Sequence, residues 1–240
     1  MNRLLLLIAI SLLPHTALAQ NYRIDTVIGL GNKVGDGDIA LEALLRSPAG
    51  IALDLQGRLI IADKQHHRIR RVASDGRITT IAGTGLRGVR GDDGPAVEAE
   101  LWEPSGIAIN SKGTILVADG SSRIRAITPD GRINTLAGNG RNGFSGDGGK
   151  ATEASIGIPG GIAVDTADNF YFSEVLQARV RRVSADGIIT TFAGNGTGRF
   201  SGDGGPAVDA SLLIPLGLAM SPTNTLFIAD FGNLRIREVL

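Results

Sequence analysis

The sequence repeats itself four times, with a period of 55 to 56 residues, and this repeat constrains the fold more than any other feature. A Gly-Asp pair recurs at positions 35, 91, 146 and 202, at intervals of 56, 55 and 56. Thirteen residues after each of these glycines comes a proline, followed two residues later by another glycine and an apolar run. The four prolines are Pro48, Pro104, Pro159 and Pro215. A fixed period of this length predicts a tandem array of one structural unit.

Each of the first three repeats contains four short apolar runs that are rich in Ile and Val and bounded by Gly, Asp and Asn. In the second repeat they cover residues 106–110, 114–119, 123–127 and 132–137. Runs of this length and composition favour strands over helices. Four short antiparallel strands per repeat are typical of a propeller blade. The predicted fold class is therefore all-β, a β-propeller of four four-stranded blades.

The two ends of the repeat array suggest how the ring closes. The last repeat contains only the first three runs, whereas residues 23–29 (Arg-Ile-Asp-Thr-Val-Ile-Gly) match the fourth run at 77–83 (Arg-Ile-Thr-Thr-Ile-Ala-Gly). We predict that residues 24–28 pair with residues 235–239, so that an N-terminal strand completes the last blade and removes two exposed sheet edges. The alternative is a partial ring that pairs with another chain.

The pattern Pro-x-Gly-Ile-Ala, apolar-Ala-Asp, Arg-Ile-Arg and Asp-Gly resembles the NHL-repeat family of β-propellers over about residues 23–240. The insert at 143–149 (Gly-Phe-Ser-Gly-Asp-Gly-Gly) is similar to those of exported bacterial NHL-repeat proteins and of the teneurin NHL propeller. This resemblance implies a recognition or scaffold role. It also implies six blades as the usual number, and this chain departs from that number with its four repeats.

The first residues have the pattern of an export signal. Arg3 precedes a ten-residue apolar run at 4–13, and Ala17-Leu18-Ala19 matches a signal-peptidase site. We therefore predict a signal peptide at 1–19 and an exported propeller at 20–240, in the periplasm or outside the cell. Ten apolar residues are too few to span a bilayer, which needs roughly 20, so no membrane insertion is expected after cleavage.

Charge and cysteine content exclude several classes of function. The chain has 24 Lys and Arg against 24 Asp and Glu, which gives no indication of nucleic-acid binding. It has no cysteine, which excludes disulfides, thiol nucleophiles and cysteine-based metal centres.

The strand order predicts two unlike faces. Loops from the fourth to the next first strand, and from second to third strand, emerge on one face, which we call the insert face because each blade adds an insert of about 20 residues there, such as 83–103. The opposite face has only tight turns, such as 55–57. Because function concentrates in loops, we expect any partner on the insert face.

Residues that interrupt the repeat on this face are the candidate binding residues for an unidentified protein or polysaccharide. They are His66, His67, Arg87, Arg90 and Trp102, the last being the only tryptophan. A tryptophan near arginines has the composition of an interaction hot spot. The alternatives are a solvated loop for the histidines and packing beneath the insert for the tryptophan. The arginines that recur in every blade are instead predicted to pair with the preceding acid: Arg68 with Asp63, Arg123 with Asp119, Arg179 with Glu174 and Arg235 with Asp230.

The inserts also carry a recurring acid, at Asp36, Asp92, Asp147 and Asp203. Calcium binding is one interpretation, since calcium takes carboxylate oxygens from glycine-permitted turns. The favoured interpretation is structural: the aspartate bonds its own turn, and a Glu or Asp six residues later caps a short helical turn. No cofactor is therefore predicted, with calcium as the alternative.

Catalysis is the alternative function, in the form of a metal-dependent, lactonase-like hydrolase or lyase. The first strands, which line the centre of a propeller, read Gly-Ile-Ala-Leu, Gly-Ile-Ala-Ile, Gly-Ile-Ala-Val and Gly-Leu-Ala-Met, without metal ligands. After signal cleavage only His66 and His67 remain, and two adjacent histidines cannot form a site shared between blades. No catalytic residue is identified.

Overall fold

The computed structural model describes residues 23–29 and 31–240, which form four consecutive antiparallel sheets connected in chain order. The predicted signal peptide at 1–19 lies outside the described residues. We call each sheet a blade. The first blade contains β1 (Pro48–Leu53), β2 (Leu59–Asp63), β3 (Arg68–Val72) and β4 (Ile78–Ala82). The second contains β6 (Ile107–Ile109), β7 (Ile115–Asp119), β8 (Arg123–Ile127) and β9 (Arg132–Ala137), with the two-residue β5 (Gly94–Pro95) at its outer edge.

The third blade contains β10 (Pro159–Val164), β11 (Phe170–Glu174), β12 (Arg179–Val183) and β13 (Ile189–Ala193), and the fourth contains β14 (Pro215–Met220), β15 (Leu226–Asp230) and β16 (Arg235–Val239). Short 3₁₀ turns lie at Ala40–Glu42, Lys64–His66, Ala96–Glu98, Ala151–Glu153, Ala207–Asp209 and Phe231–Asn233. The predicted all-β class and the four blades are confirmed. Across residues 23–29 and 31–240, no helix has the length and apolar content that a membrane span requires.

Each insert packs on the outer edge of the blade that follows it in sequence. In the second blade, β5 pairs with β9, and the Ala96 N–H donates to the Gly131 carbonyl at 2.8 Å. Isolated bridges from Ile39 to Arg77 and from Lys150 to Ile188 repeat this arrangement in the first and third blades. The inserts thereby cover the outer strands, which would otherwise be exposed sheet edges.

Neighbouring blades pack through an apolar core and a close approach of their inner strands. Between the first and second blades, Ile60 and Ile69 pack against Ile107 and Ile115. Gly106 permits the close approach on the other side of the second blade, because a Cβ there would lie 2.2 Å from the Gly160 carbonyl oxygen. Gly50 and Gly161 have equivalent positions at the other two junctions.

The predicted pairing of residues 24–28 with 235–239 is not what the structure shows. Residues 23–29 form no strand, and in the described part of the chain the fourth blade has only β14, β15 and β16. The physical reason is that the first and fourth blades do not meet. A Cβ at Gly217, the counterpart of Gly106, would have only the Ala229 Cβ within 4 Å among the described residues. The four blades form an open arc, which agrees with the alternative of a partial ring.

Candidate functional site

A buried arginine ties each insert to its blade. In the third blade, Arg181 Nη2 lies 2.5 Å from Asp147 Oδ1, and the Thr191 hydroxyl donates to Asp147 Oδ2 at 2.6 Å. The same arginine–aspartate pairs occur at Arg70–Asp36, Arg125–Asp92 and Arg237–Asp203. These carboxylates therefore bond across to the blade, and the prediction that each bonds its own turn is wrong. The predicted cap is wrong as well, because the 3₁₀ turns of the four inserts have no side-chain cap.

A cation at the insert aspartates would compete with an arginine. Each insert aspartate already has a guanidinium partner at 2.5 to 2.9 Å. A cation at the same oxygens would have to displace that arginine, which is completely buried in the first three blades and would lose its counter-ion. Within 23–29 and 31–240, no three His, Cys, Asp or Glu side chains converge as a metal site would require.

The arginines predicted to pair with Asp63, Glu174 and Asp230 are wrong by two positions, because Arg70, Arg181 and Arg237 are the ones that lie 3.4–3.5 Å from these acids. Glu174 accepts the Gly157 N–H at 2.8 Å and lies 3.4 Å from Arg181, not from Arg179. Arg179 lies at the start of its strand, beside the insert, where it donates to the Asn195 carbonyl and stacks on the Phe144 ring. Burial raises the pKa of the Glu174 carboxyl, and the nearby Arg181 guanidinium opposes that shift.

Trp102 and Arg87 form a stacked pair on the insert face. The Arg87 guanidinium carbon lies 3.9 Å from the Trp102 ring centroid. Both residues of this pair belong to the second insert, whereas in the third and fourth blades Phe144 and Phe200 of the inserts stack with Arg179 and Arg235 of the strands, each at 3.9 Å. The backbone N–H of Trp102 donates to Oδ2 of the buried Asp119 at 3.1 Å. This bond anchors the backbone, while the Trp102 side chain stays half-buried. The repeat is therefore locally altered at this pair.

His67 lies beside this pair and contacts the end of the second insert. Its Nδ1 accepts the Glu103 N–H at 3.2 Å, and Glu103 Oε2 lies 3.9 Å from Lys64 Nζ. Burial and the charge of Arg87 lower the pKa of His67, while Glu103 opposes them. The imidazole is consequently neutral at pH 7, which agrees with Nδ1 acting as an acceptor.

The structure brings His67, Arg87 and Trp102 together, as the sequence predicted. The other two candidates, His66 and Arg90, lie outside this group. His66 turns inward, with Nδ1 2.8 Å from the buried Asp63 carboxylate, so it supports the loop. Arg90 is exposed on the second insert, where its carbonyl accepts the Glu100 N–H. Sequence reasoning missed Glu103, whose signal was available: the equivalent residues Ser47, Ile158 and Ile214 are uncharged. We call His67, Arg87, Trp102 and Glu103 the Trp102 cluster.

Four tandem blades with an insert face and tight turns opposite define this chain as a β-propeller repeat protein. It belongs to the NHL-repeat family: the family model described as NHL repeat matches residues 45–72, and the one described as Teneurin NHL domain matches residues 87–144 and 140–199. The chain is 31% identical over 262 residues to teneurin-1 of Gallus gallus, covering 95% of this chain and 10% of that protein. It is 32% identical over 231 residues to teneurin-3 of Mus musculus, covering 86% and 8%. The chain thus spans about a tenth of these relatives.

Solved propellers share the fold at low sequence identity. A structural genomics protein from Bacteroides thetaiotaomicron superposes with a TM-score of 0.64 at 22% identity, covering 80% of this chain and 46% of that one. An auxiliary nutrient binding protein from the same organism gives 0.62 at 18%, covering 87% and 54%. A gluconolactonase from Xanthomonas campestris gives 0.56 at 18%, covering 81% and 58%. This chain matches about half of each longer propeller.

Proposed function

We propose that this protein is an exported, non-catalytic recognition module that binds a protein or a polysaccharide on its insert face. The observation that carries the proposal is the stacked pair of Trp102 and Arg87, with neutral His67 at its side. Structural residues recur in every blade, whereas this pair occurs once and replaces the aromatic–arginine stack of the third and fourth blades.

The chemistry of the Trp102 cluster suits a ligand with both apolar and polar groups. One face of the half-buried indole is covered by the Arg87 guanidinium, and together the two side chains form a flat stacked surface. The exposed Arg87 offers hydrogen-bond donors, and Glu103 beside the stack offers acceptors. The cluster is also held in place, because the Trp102 backbone is bonded to buried Asp119 and Arg87 forms a backbone bridge with Leu101. A prearranged aromatic and arginine surface loses little conformational entropy on binding.

The enzymatic alternative, a metal-dependent hydrolase or lyase, has the shared fold with the gluconolactonase in its favour, but fold alone does not imply activity. The inner strands offer Ile107 and Ala108 and their equivalents rather than metal ligands. Cation-dependent turnover of a lactone by the purified protein would favour this alternative over the recognition module.

Binding to the envelope of the producing cell should depend on Trp102. We expect Trp102→Ala to weaken binding of the purified protein to immobilised envelope polysaccharide or envelope protein by about 30-fold, since truncating a hot-spot residue typically costs about 2 kcal/mol. Biolayer interferometry measures the affinity directly. In the unmodified protein, Trp102 is also the sole indole fluorophore, so its emission should shift on binding.

Two variants serve as controls for this experiment. Phe144→Ala removes the equivalent aromatic stack from the third blade, and Gln56→Ala alters the turn face. Both should bind normally. If Gln56→Ala loses the ligand while Trp102→Ala keeps it, the proposed face is wrong.

Export should remove the first 19 residues. The apolar run at 4–13 and the Ala17-Leu18-Ala19 site lead us to expect that protein recovered outside the cytoplasm begins at Gln20. Intact-mass spectrometry of that fraction measures this directly. Retention of Met1 in the exported fraction would contradict the export part of the proposal while leaving the binding part to be tested separately.

A further inference from the structure

A groove between the first and second blades is larger than the equivalent groove at the next junction. It has a volume of about 570 Å³ and lies beside the turns at 54–58 and 128–131. The equivalent groove between the second and third blades has a volume of about 160 Å³. Both grooves are lined by residues at the same positions of the repeat, such as Ile81 in the first and Leu136 in the second, so the difference in volume comes from the side chains.

Small and aliphatic residues widen the first of these grooves. It is lined by Ile115 and Gly113 at the positions where the second groove has Phe170 and Asp168. Phe170 is buried in the core between the second and third blades. Its ring therefore fills space that Ile115 leaves open at the first junction.

Two aromatic rings fill the equivalent space at the third junction, between the third and fourth blades. Tyr171 and Phe192 occupy the positions of Ile60 and Ile81, which line the first groove. Their rings pack edge to face, with centroids 4.7 Å apart, as part of the core between those blades. The first junction thus lacks the aromatic rings that fill both of the others.

The Tyr171 hydroxyl has a polar site of its own at the third junction. It donates to Oδ2 of Asp165 at 3.0 Å, and the Asn169 amide donates to the same oxygen at 2.7 Å. The Arg182 guanidinium lies beside the hydroxyl. A carboxylate and an arginine therefore hold the hydroxyl end of the phenol ring.

The first groove keeps this polar site, although no tyrosine enters it. Asp54 and Arg71 line the groove at the positions of Asp165 and Arg182. The Asp54 side chain is only 8% exposed, and its Oδ2 accepts from Arg58 Nε at 2.6 Å, as Asp165 accepts from Asn169. The second bond, which Asp165 receives from a tyrosine hydroxyl, has no equivalent donor in the isoleucine at position 60.

We propose that the groove between the first and second blades binds a small phenolic compound. The aromatic ring lies against Ile60, Ile81 and Ile115, in the space that Tyr171 and Phe192 fill at the third junction, and the hydroxyl donates to Asp54 Oδ2.

The dimensions and lining of the groove suit such a ligand. Its volume of about 570 Å³ is within the range of small-molecule sites, about 300–1,000 Å³. Cavities lined by aliphatic side chains bind aromatic rings, because water gains few hydrogen bonds there. The site is additional to the Trp102 cluster, none of whose four residues lines the groove.

The probe for this site is 4-methylphenol, which has the structure of a tyrosine side chain, and toluene is the matched compound without the hydroxyl. We expect 4-methylphenol to shift the amide NMR signals of Gly113 and Ile115 in a saturable manner, with a Kd of about 1 mM or below. Toluene should bind at least about 10-fold more weakly, because it cannot form the charge-assisted bond to Asp54. The absence of a saturable shift at about ten times that concentration of 4-methylphenol, or equal affinity for toluene, would overturn the proposal.

Asp54→Asn tests the hydroxyl contact without removing the turn. Asn110 occupies this position in the second blade and accepts two backbone N–H groups through its side chain. The variant should lose at least about 10-fold in affinity for 4-methylphenol and keep its affinity for toluene. Asp165→Asn is the matched control and should bind 4-methylphenol normally, because Tyr171 fills that site. Unchanged affinity of Asp54→Asn for 4-methylphenol would overturn the proposal.

Ile60→Tyr should close the groove from within. The introduced ring would take the place that Tyr171 has in the third blade, with its hydroxyl at Asp54, so 4-methylphenol should no longer bind. Circular dichroism checks that the variant is folded. Full binding by the folded variant would place the compound elsewhere and would also overturn the proposal. None of these results depends on whether the Trp102 cluster binds a ligand.

Discussion

Replacing Arg181 with methionine is expected to lower the free energy of unfolding by about 3–5 kcal/mol, the usual cost of removing one partner from a buried ion pair. Arg181 is completely buried and lies between Glu174, also buried, and Asp147 of the insert. Without it, Glu174 is left as an uncompensated buried carboxylate. Since the total stability of a domain is about 5–15 kcal/mol, this loss should be plain in urea denaturation.

The fourth blade provides a matched control. Arg237 makes the same two contacts, but its own side chain and that of Asp203 reach solvent, with 10% and 66% exposed. The buried Asp230 carboxylate also keeps hydrogen bonds from the Leu213 N–H and the Asn233 amide when the arginine is removed. Arg237→Met should therefore cost clearly less than Arg181→Met. Equal losses for the two variants would show that burial of the pair does not determine its importance.

The pH dependence of the Arg181→Met variant follows from the same argument. Burial already raises the pKa of Glu174 above its ordinary value, and loss of the arginine removes the charge that opposes this shift. A raised pKa in the folded state makes the group stabilising when protonated, and this contribution is lost as the pH rises through the folded-state pKa. The gap in stability between variant and unmodified protein should thus narrow as the pH falls from 7 toward 4.5.

A single methyl group at Gly106 should separate the second and third blades. The Cβ of Gly106→Ala would lie 2.2 Å from the Gly160 carbonyl oxygen and 3.1 Å from the Gly161 Cα, and these atoms belong to a backbone that cannot rotate away. Overpacking of this kind typically costs about 1–3 kcal/mol, and more where backbone must move. We expect the thermal midpoint to fall by at least about 4 °C, measured by differential scanning calorimetry.

Gly143→Ala is the control for a loss of glycine as such. A Cβ at that position would have the Ser155 Cβ as its nearest neighbour, at 3.9 Å, which is an ordinary contact. This variant should unfold within about 1 °C of the unmodified protein. Equal shifts at both positions would mean that the approach of the inner strands does not limit stability.

Much of the blade structure could be predicted from the sequence, because strands and turns depend on local patterns. The four strands expected in the second repeat, at 106–110, 114–119, 123–127 and 132–137, correspond to β6, β7, β8 and β9 with ends shifted by at most one residue. The interruption of the repeat at His67, Arg87 and Trp102 also predicted residues that the fold brings together. The interruption of the repeat did not predict that Glu103 joins these residues, nor that the His66 side chain turns inward to Asp63.

The sequence alone determined the number of blades and their strands, since a repeat of 55 to 56 residues encodes the same local hydrogen bonding and burial each time. Only the tertiary structure decided which arginine meets which acid, because Arg179 and Arg181 share a strand and differ only in depth beneath the insert. It also decided whether the arc closes. Closure depends on the angle between successive blades, and that angle is set by how closely Gly50, Gly106 and Gly161 let the inner strands approach across residues far apart in sequence.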